Sequence, residues 1–263
     1  MKKLFYLFFF YITLTGNSQA QDLVPLAQDS IAIKADNYFG FDGYQNYYFS
    51  SNDIVIKKNK LATLQFQDLS LGEVTKVDVL NPLKIIVFYE KFNTVVILDN
   101  QMNETERINF SERDFSIVVS AVGVADQNKL WIFNSLNQKL ALYDLITKNI
   151  QEIGNSLENE IANYQTDYNY FQWISKSGQW NSCDRYGSVR NITKLELPEK
   201  IQIIAPNTIV YLKENTLFVG DFEIGKKNKI KIVEKTFRNF YYKDQILSIF
   251  TNEGITNYKI NLP

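Results

Sequence analysis

The residue pattern predicts an all-β chain folded as a single β-propeller of six blades, and three observations carry that prediction. The first is composition. Of 263 residues, 19 are Phe and 16 are Tyr, against only 11 Gly and 5 Pro. Aromatic and β-branched side chains suit a pleated, half-buried surface, so this balance favours strand. The second is a recurrence of about 40 residues, the spacing of strand-rich propeller blades. Apolar strands centre near Tyr48, Ile86, Trp131, Phe171, Ile209 and Leu247, in steps of 38, 45, 40, 38 and 38 residues. The third is an aspartate that closes the strand after four of these six, at Asp99, Asp144, Asp184 and Asp221.

The unit is clearest between Leu83 and Ile153, which reads as two copies of one pattern. Each copy is an apolar strand, a tight polar turn, a strand ending in Asp, a second turn and a further strand. The tight turns recur as Glu90-Lys-Phe-Asn93, Asn134-Ser-Leu-Asn137, Ser175-Lys-Ser-Gly178, Lys213-Glu-Asn215 and Thr251-Asn-Glu-Gly254. Asn and Gly supply the positive φ that hairpins require. Asp opens type I turns because its carboxylate accepts from backbone amides two residues on. The Asp series is therefore read as structural. A ring of metal-binding or acid/base carboxylates is the weaker reading, because one turn position repeated in successive blades already accounts for it.

Taken in order, the chain begins with a basic Met1-Lys-Lys, then an apolar run from Leu4 to Leu14 broken only by Thr13. Gly16-Asn17 ends the run, and Ser18-Gln-Ala20 places small residues before Gln21. This is the pattern of a secretory signal peptide spanning residues 1–20, cut between Ala20 and Gln21. The run falls short of the roughly 20 apolar residues that cross a bilayer. Residues 21–263 are thus expected to form one exported, soluble domain that does not itself span a membrane. Ser30–Ala35 looks like a strand without a local partner. The last unit ends at Pro263 with no room for a fourth strand, so the N-terminal strand is expected to supply it and close the ring. Ser156–Ala162 has a partly helical pattern.

Composition also limits the chemistry. There is no histidine, which removes the usual general base, nucleophile activator and transition-metal ligand together. The single cysteine, Cys183, can form no internal disulfide or zinc cluster and is read as a strand residue. Phosphate loops, nucleophile elbows and calcium loops are missing. No catalytic residue, cofactor or metal is expected. A formal net charge of −1 offers no polyanion-binding surface, so nucleic acid is not an expected partner.

What remains is aromatic. Tyr164, Tyr168, Tyr170, Trp173 and Trp180 cluster in the fourth unit, and Tyr44 sits in an aromatic run in the first, opposite it in a six-membered ring. Flat faces with polar tips suit protein or sugar partners, although blade cores use aromatics too. These six residues are the candidate partner surface. Binding of glycan or peptidoglycan is the alternative, and a hydrolase using two carboxylates is the third reading.

The segment Leu80-Asn-Pro-Leu-Lys-Ile-Ile-Val-Phe-Tyr-Glu-Lys-Phe-Asn-Thr-Val-Val-Ile-Leu-Asp-Asn-Gln101 is followed by Val119-Ser-Ala-Val-Gly-Val-Ala and Lys129-Leu-Trp-Ile-Phe. Together these resemble a family of exported β-propellers of Bacteroidota, of the type of the PorD accessory component of the type IX secretion system. The resemblance implies a non-catalytic periplasmic subunit held at the inner side of the outer membrane. Its partners would be an outer-membrane translocon protein and periplasmic accessory proteins, in a machine that exports folded cargo and supports gliding motility. Asp29-Ser30-Ile31 is also similar to the O-glycosylation motif of that phylum, which would make Ser30 a glycan acceptor.

Overall fold

A computed structural model describes residues 22–112, 117–234 and 236–262. The expected leader and its Ala20–Gln21 junction lie outside these residues. Apart from one 3-10 turn at Glu90–Phe92, the regular structure of the described chain is strand. It opens with β1 (Leu26–Ala32). Blade 1 follows as β2 (Asn37–Phe41), β3 (Tyr47–Ser51), β4 (Ile54–Lys58) and β5 (Thr63–Phe66). Blade 2 is β6 (Lys76–Asp78), β7 (Ile85–Tyr89), β8 (Thr94–Leu98) and β9 (Glu104–Asn109). Blade 3 is β10 (Val119–Asp126), β11 (Lys129–Asn134), β12 (Lys139–Asp144) and β13 (Ile150–Ile153). Blade 4 is β14 (Ile161–Thr166), β15 (Tyr170–Ser175), β16 (Gln179–Asp184) and β17 (Val189–Lys194). Blade 5 is β18 (Lys200–Ala205), β19 (Thr208–Lys213), β20 (Thr216–Asp221) and β21 (Lys226–Ile230). The chain ends with β22 (Asn239–Lys243), β23 (Ile246–Phe250) and β24 (Gly254–Lys259).

Five sheets pair their strands in sequence order, and the sixth runs β22-β23-β24-β1. This is a six-bladed β-propeller closed by its N-terminal strand. The closing strand is Leu26–Ala32 rather than Ser30–Ala35, and it pairs antiparallel with β24 from Leu26↔Lys259 to Ala32↔Gly254. Gly254 cannot be replaced without strain. Its φ is +138°, and a Cβ there would lie 2.1 Å from the Ile31 carbonyl oxygen. Closure reaches one blade further, because Leu23 forms a parallel bridge with Ile230 on β21. Its amide donates to Lys229 O at 2.7 Å and its carbonyl accepts from Lys231 N at 2.8 Å. The N-terminal segment therefore ties blade 5 to blade 6.

The apolar strand read as the first of each unit is in fact the second: Tyr48, Ile86, Trp131, Phe171, Ile209 and Leu247 lie on β3, β7, β11, β15, β19 and β23. Ahead of each is a strand that lines the central channel. Two of these strands carry polar residues, Lys76-Val-Asp78 and Asn163-Tyr-Gln-Thr166, which interrupt the apolar run that marks a strand, whereas β10 is apolar and buried. The expected helix at Ser156–Ala162 does not form. Residues 154–160 cross between blades without a helix, and Ile161 and Tyr164 pack as strand residues against the core between blades 3 and 4.

The hydrophobic core is divided into six, one cluster between each pair of neighbouring blades. Between blades 3 and 4, for example, Trp131, Phe133 and Leu142 meet Phe171, Trp173 and Cys183. Each fully buried large apolar side chain contributes roughly 1.5–3 kcal/mol, so stability is spread around the ring. Near the axis, side chains tie one inner strand to the next. Asp78 Oδ2 accepts from Val124 N at 3.0 Å, and Tyr164 OH accepts from Val122 N at 3.1 Å. Gln165 Oε1 accepts from Ile203 N, and Gln202 both accepts from Tyr242 N and donates to Tyr242 O. Asn239 Nδ2 donates to Tyr38 O. These bonds satisfy backbone groups that a free strand edge would leave unpaired.

Candidate functional site

Antiparallel order fixes which turns share a face. Turns after the first and third strands of every blade lie together on one face, here face A. Turns after the second strand and the inter-blade connections lie on the opposite face, face B.

Face A is built from two circles of Asx turns. In the outer circle, Asp99 Oδ1 accepts from Gln101 N and Asn103 N at 2.8 Å each. Asp144 accepts from Ile146 N and Thr147 N at 2.9 Å, and Asp184 from Tyr186 N at 2.9 Å and Ser188 N at 3.0 Å. Asp221 accepts from Glu223 N and Ile224 N. Asn59 takes the same position in blade 1, accepting from Leu61 N and Ala62 N. Bonds to backbone amides, with the Asn103 side chain also bonding Asp99, hold the carboxyls of Asp99 and Asp144 below the usual range. The inner circle was not foreseen. Asp78 and Asp167 end or follow inner strands and accept from Leu80 N, and from Asn169 N with Tyr170 N, while Asp126 accepts from the adjacent Gln127 N. Asp42 is fully buried and accepts from four donors: Tyr44 N, Asn46 N, Asn46 Nδ2 and Tyr48 OH, all within 3.0 Å. Burial, then the bond to Asp42, raises the Tyr48 hydroxyl far above its ordinary range.

These turns aim side chains outward. The residue two positions after the Asx donates its amide to the Asx oxygen, which pins its backbone. Leu61, Ile146 and Tyr186 stand in that position and are 96%, 71% and 90% exposed. Tyr44 stands in it after Asp42. The exposed aromatic side chains among the described residues are Tyr44, Phe92, Tyr168, Tyr170, Tyr186 and Phe222. All but Phe92 lie on face A.

Of the six predicted surface aromatics, the structure therefore brings Tyr44, Tyr168 and Tyr170 to one face. The other three are corrected. Trp180 is fully buried between blades 4 and 5, its ring 5.9 Å from Phe222 in a T-shaped contact. Trp173 is 4% exposed. Tyr164 lies in the channel wall, stacked on Phe171 at 5.5 Å. Strand alternation sent these rings inward, and an aromatic count cannot tell the two sides apart. Tyr186 and Phe222 were missed because their turns were read only for the aspartate. Ser30 is exposed on β1, paired with Thr256.

The channel wall holds one unusual cation. Lys76 Nζ lies 3.6 Å from the centre of the Tyr164 ring. Desolvation lowers its pKa from 10.5 to about 8, against the opposing pull of Asp78. The Tyr164 hydroxyl is raised by burial. Cys183 lies buried on β16, its thiol pushed up to about 11 by desolvation and then by Asp184, the opposite of a reactive thiolate. Among the described residues no group of three or more acidic or cysteine side chains is placed to hold a metal ion. No helix among them is long and apolar enough to cross a membrane.

No protein-family model matches the sequence, and no curated protein matches it. Solved structures do. Virginiamycin B lyase from Staphylococcus aureus superposes with a TM-score of 0.56 at 9% identity, over 84% of this chain and 79% of the lyase. BamB from Moraxella catarrhalis gives 0.53 at 9% identity, over 90% of this chain and all of BamB. BBS1N, in its complex with ARL6, gives 0.52 at 13% identity, over 83% and 74%. One fold thus carries a lyase and a propeller found in a protein complex, both at 13% identity or less. At this identity the likeness shows that the chain shares the β-propeller fold with them.

Proposed function

We propose that this protein is a non-catalytic interaction subunit that docks a protein partner on face A. The observation that carries the reading is the gathering of exposed aromatics there, on backbone pinned by Asx turns. Tyr and Trp dominate binding energy at protein interfaces because they supply large, stiff, amphipathic contact area. A rigid display also limits the ordering entropy lost on binding. The finer reading follows the family resemblance. In it the protein is a periplasmic accessory subunit of an outer-membrane export complex of the type IX kind, associated with the inner side of that membrane through its partners. BBS1N supports the coarser part, as a propeller of this fold found in a protein complex.

The test is affinity capture of tagged protein from detergent-solubilised outer membranes, beside the triple variant Leu61→Ser, Ile146→Ser, Tyr186→Ser. A second variant, Tyr44→Ser with Tyr168→Ser, Tyr170→Ser and Tyr186→Ser, removes four of the five exposed aromatics of the face, and co-purification of a large outer-membrane protein with the wild type but with neither variant supports the proposal. Equal capture by all three would reject face A as the docking surface. A glycosidase screen tests the non-catalytic part. Turnover abolished by one Asp→Ala or Glu→Ala change would replace it.

A further inference from the structure

Blade 4 differs from its neighbours in what it turns toward blade 3. Near the axis this face is apolar, with Phe171, Trp173 and Cys183 in the shared core. Strand alternation then puts Ser175 on the same face of β15 as Trp173, and Gln179 and Asn181 on the same face of β16 as Cys183. Trp173 pairs with Asn181, and Asn181 with Asn191, so an indole and two amides form one cross-strand row. The connection 154–159 passes in front of this row without filling the space. A groove of about 620 Å³ remains, lined by Asn159 and the rest of the connection, by Gln179 and Asn181, by an edge of Trp173 and, at its other end, by Gly187 and Val189.

The hydrogen-bond inventory of the groove is incomplete within the protein. Asn181 is only 7% exposed. Its Nδ2 donates to Gln179 O at 3.2 Å, and its Oδ1 receives no bond from the described residues. Gln179 spends its amide protons on Trp180 O and Thr193 O, which leaves Oε1 open. Asn191 and Asn159 make no side-chain hydrogen bond among the described residues. A nine-tenths-buried amide with an open acceptor, on the wall of a groove of ligand size, is a group shaped for a ligand. Charge narrows the class. Glu158 is the one charged side chain in the lining, with no Lys or Arg beside it, so a phosphate or carboxylate ligand finds no counter-charge. Planar amides offer a donor and an acceptor side by side, as a vicinal diol requires.

We propose that this groove is a binding site for a neutral saccharide. None of the exposed face A aromatics lines it, and its test reads sugar binding rather than partner capture, so its success or failure is distinguishable from that of the docking proposal. The test is titration of the full mature chain, followed by calorimetry and tryptophan emission. The probes are malto-, cello-, manno- and chitotetraose, with an oligogalacturonate as the acidic control. Saturable binding of at least one neutral tetrasaccharide is expected, with a change in emission from Trp173. Asn191→Ala and Asn159→Ala, both at exposed positions, should weaken it roughly tenfold while leaving the melting temperature unchanged. Asn191→Gln should restore part of the loss. The proposal is overturned if no neutral probe binds up to about 10 mM. Binding that is indifferent to both alanine variants overturns it too, as does equal binding of the acidic control.

Discussion

Replacing Asp42 with Ala tests whether the Asx turns really hold face A. The carboxylate is fully buried and receives four hydrogen bonds. Three of its donors are buried with it: Asn46 N, Asn46 Nδ2 and the hydroxyl of Tyr48. An orphaned buried donor costs about 1–3 kcal/mol. Removing the carboxylate also removes its own desolvation cost, so the expected loss is about 3–4 kcal/mol rather than the full sum. In a domain of this size each kcal/mol lowers the melting temperature by about 2–4 °C, so the transition should fall by about 6–16 °C. Asp42→Asn keeps one oxygen for the two backbone amides and gives up the charge, and should lose about 1–2 kcal/mol. Urea unfolding followed by near-ultraviolet circular dichroism measures both. An Asp42→Ala protein within about 0.5 kcal/mol of wild type would refute the reasoning, since that is the range of an ordinary surface change.

Other consequences follow from the same geometry. Lys76→Met should stabilise the protein at pH 7 by about 1–3 kcal/mol. Between pH 8 and 10.5 the unfolded chain holds the Lys76 proton while the folded chain has released it. Wild-type stability should therefore rise with pH across that window, and the rise should vanish in Lys76→Met. The depressed carboxyls of Asp99 and Asp144 give the same slope in the acid range, with their charged form favoured by folding where that of Lys76 is disfavoured. Their contribution is present above the ordinary carboxylate pKa and is lost as pH falls through their folded values, so Asp99→Asn with Asp144→Asn should flatten the acid limb of the stability curve. Gly123→Ala would bring a Cβ to 1.8 Å from Thr166 Oγ1 and should cost about 1–3 kcal/mol in thermal unfolding, partly recovered in combination with Thr166→Ala. Deleting residues 22–35 removes β1 and the Leu23 bridge together. It should abolish the single cooperative melt, and an unchanged melt would contradict closure by the N-terminal strand.

The ring was readable because blades repeat. Tyr48, Ile86, Trp131, Phe171, Ile209 and Leu247 each sit on the second strand, which is largely buried on both sides and so is rich in apolar residues. Apart from the apolar β10, several innermost strands were hidden for the complementary reason. Lys76, Asp78, Gln165 and Gln202 face the channel or reach the next blade, and their polarity reads as loop. Asp99, Asp144, Asp184 and Asp221 were legible because one turn needs one residue type at one position. The same logic would have found Asp78 and Asp167 had the inner strands been placed. It would also have picked out Leu61, Ile146 and Tyr186, two residues after an Asx. Trp173 and Trp180 misled because a blade core uses aromatics as freely as an interface does, and only the pleat decides which way each ring points.

Site-specific photo-crosslinking in native outer membranes tests the docking claim most directly, with the probe placed at Tyr186 or Ile146 on face A and at Leu136 on face B. The account predicts one high-mass adduct to an integral outer-membrane protein from both face A positions and none from Leu136. Adducts from Leu136 alone, or none from either face A position, would contradict it.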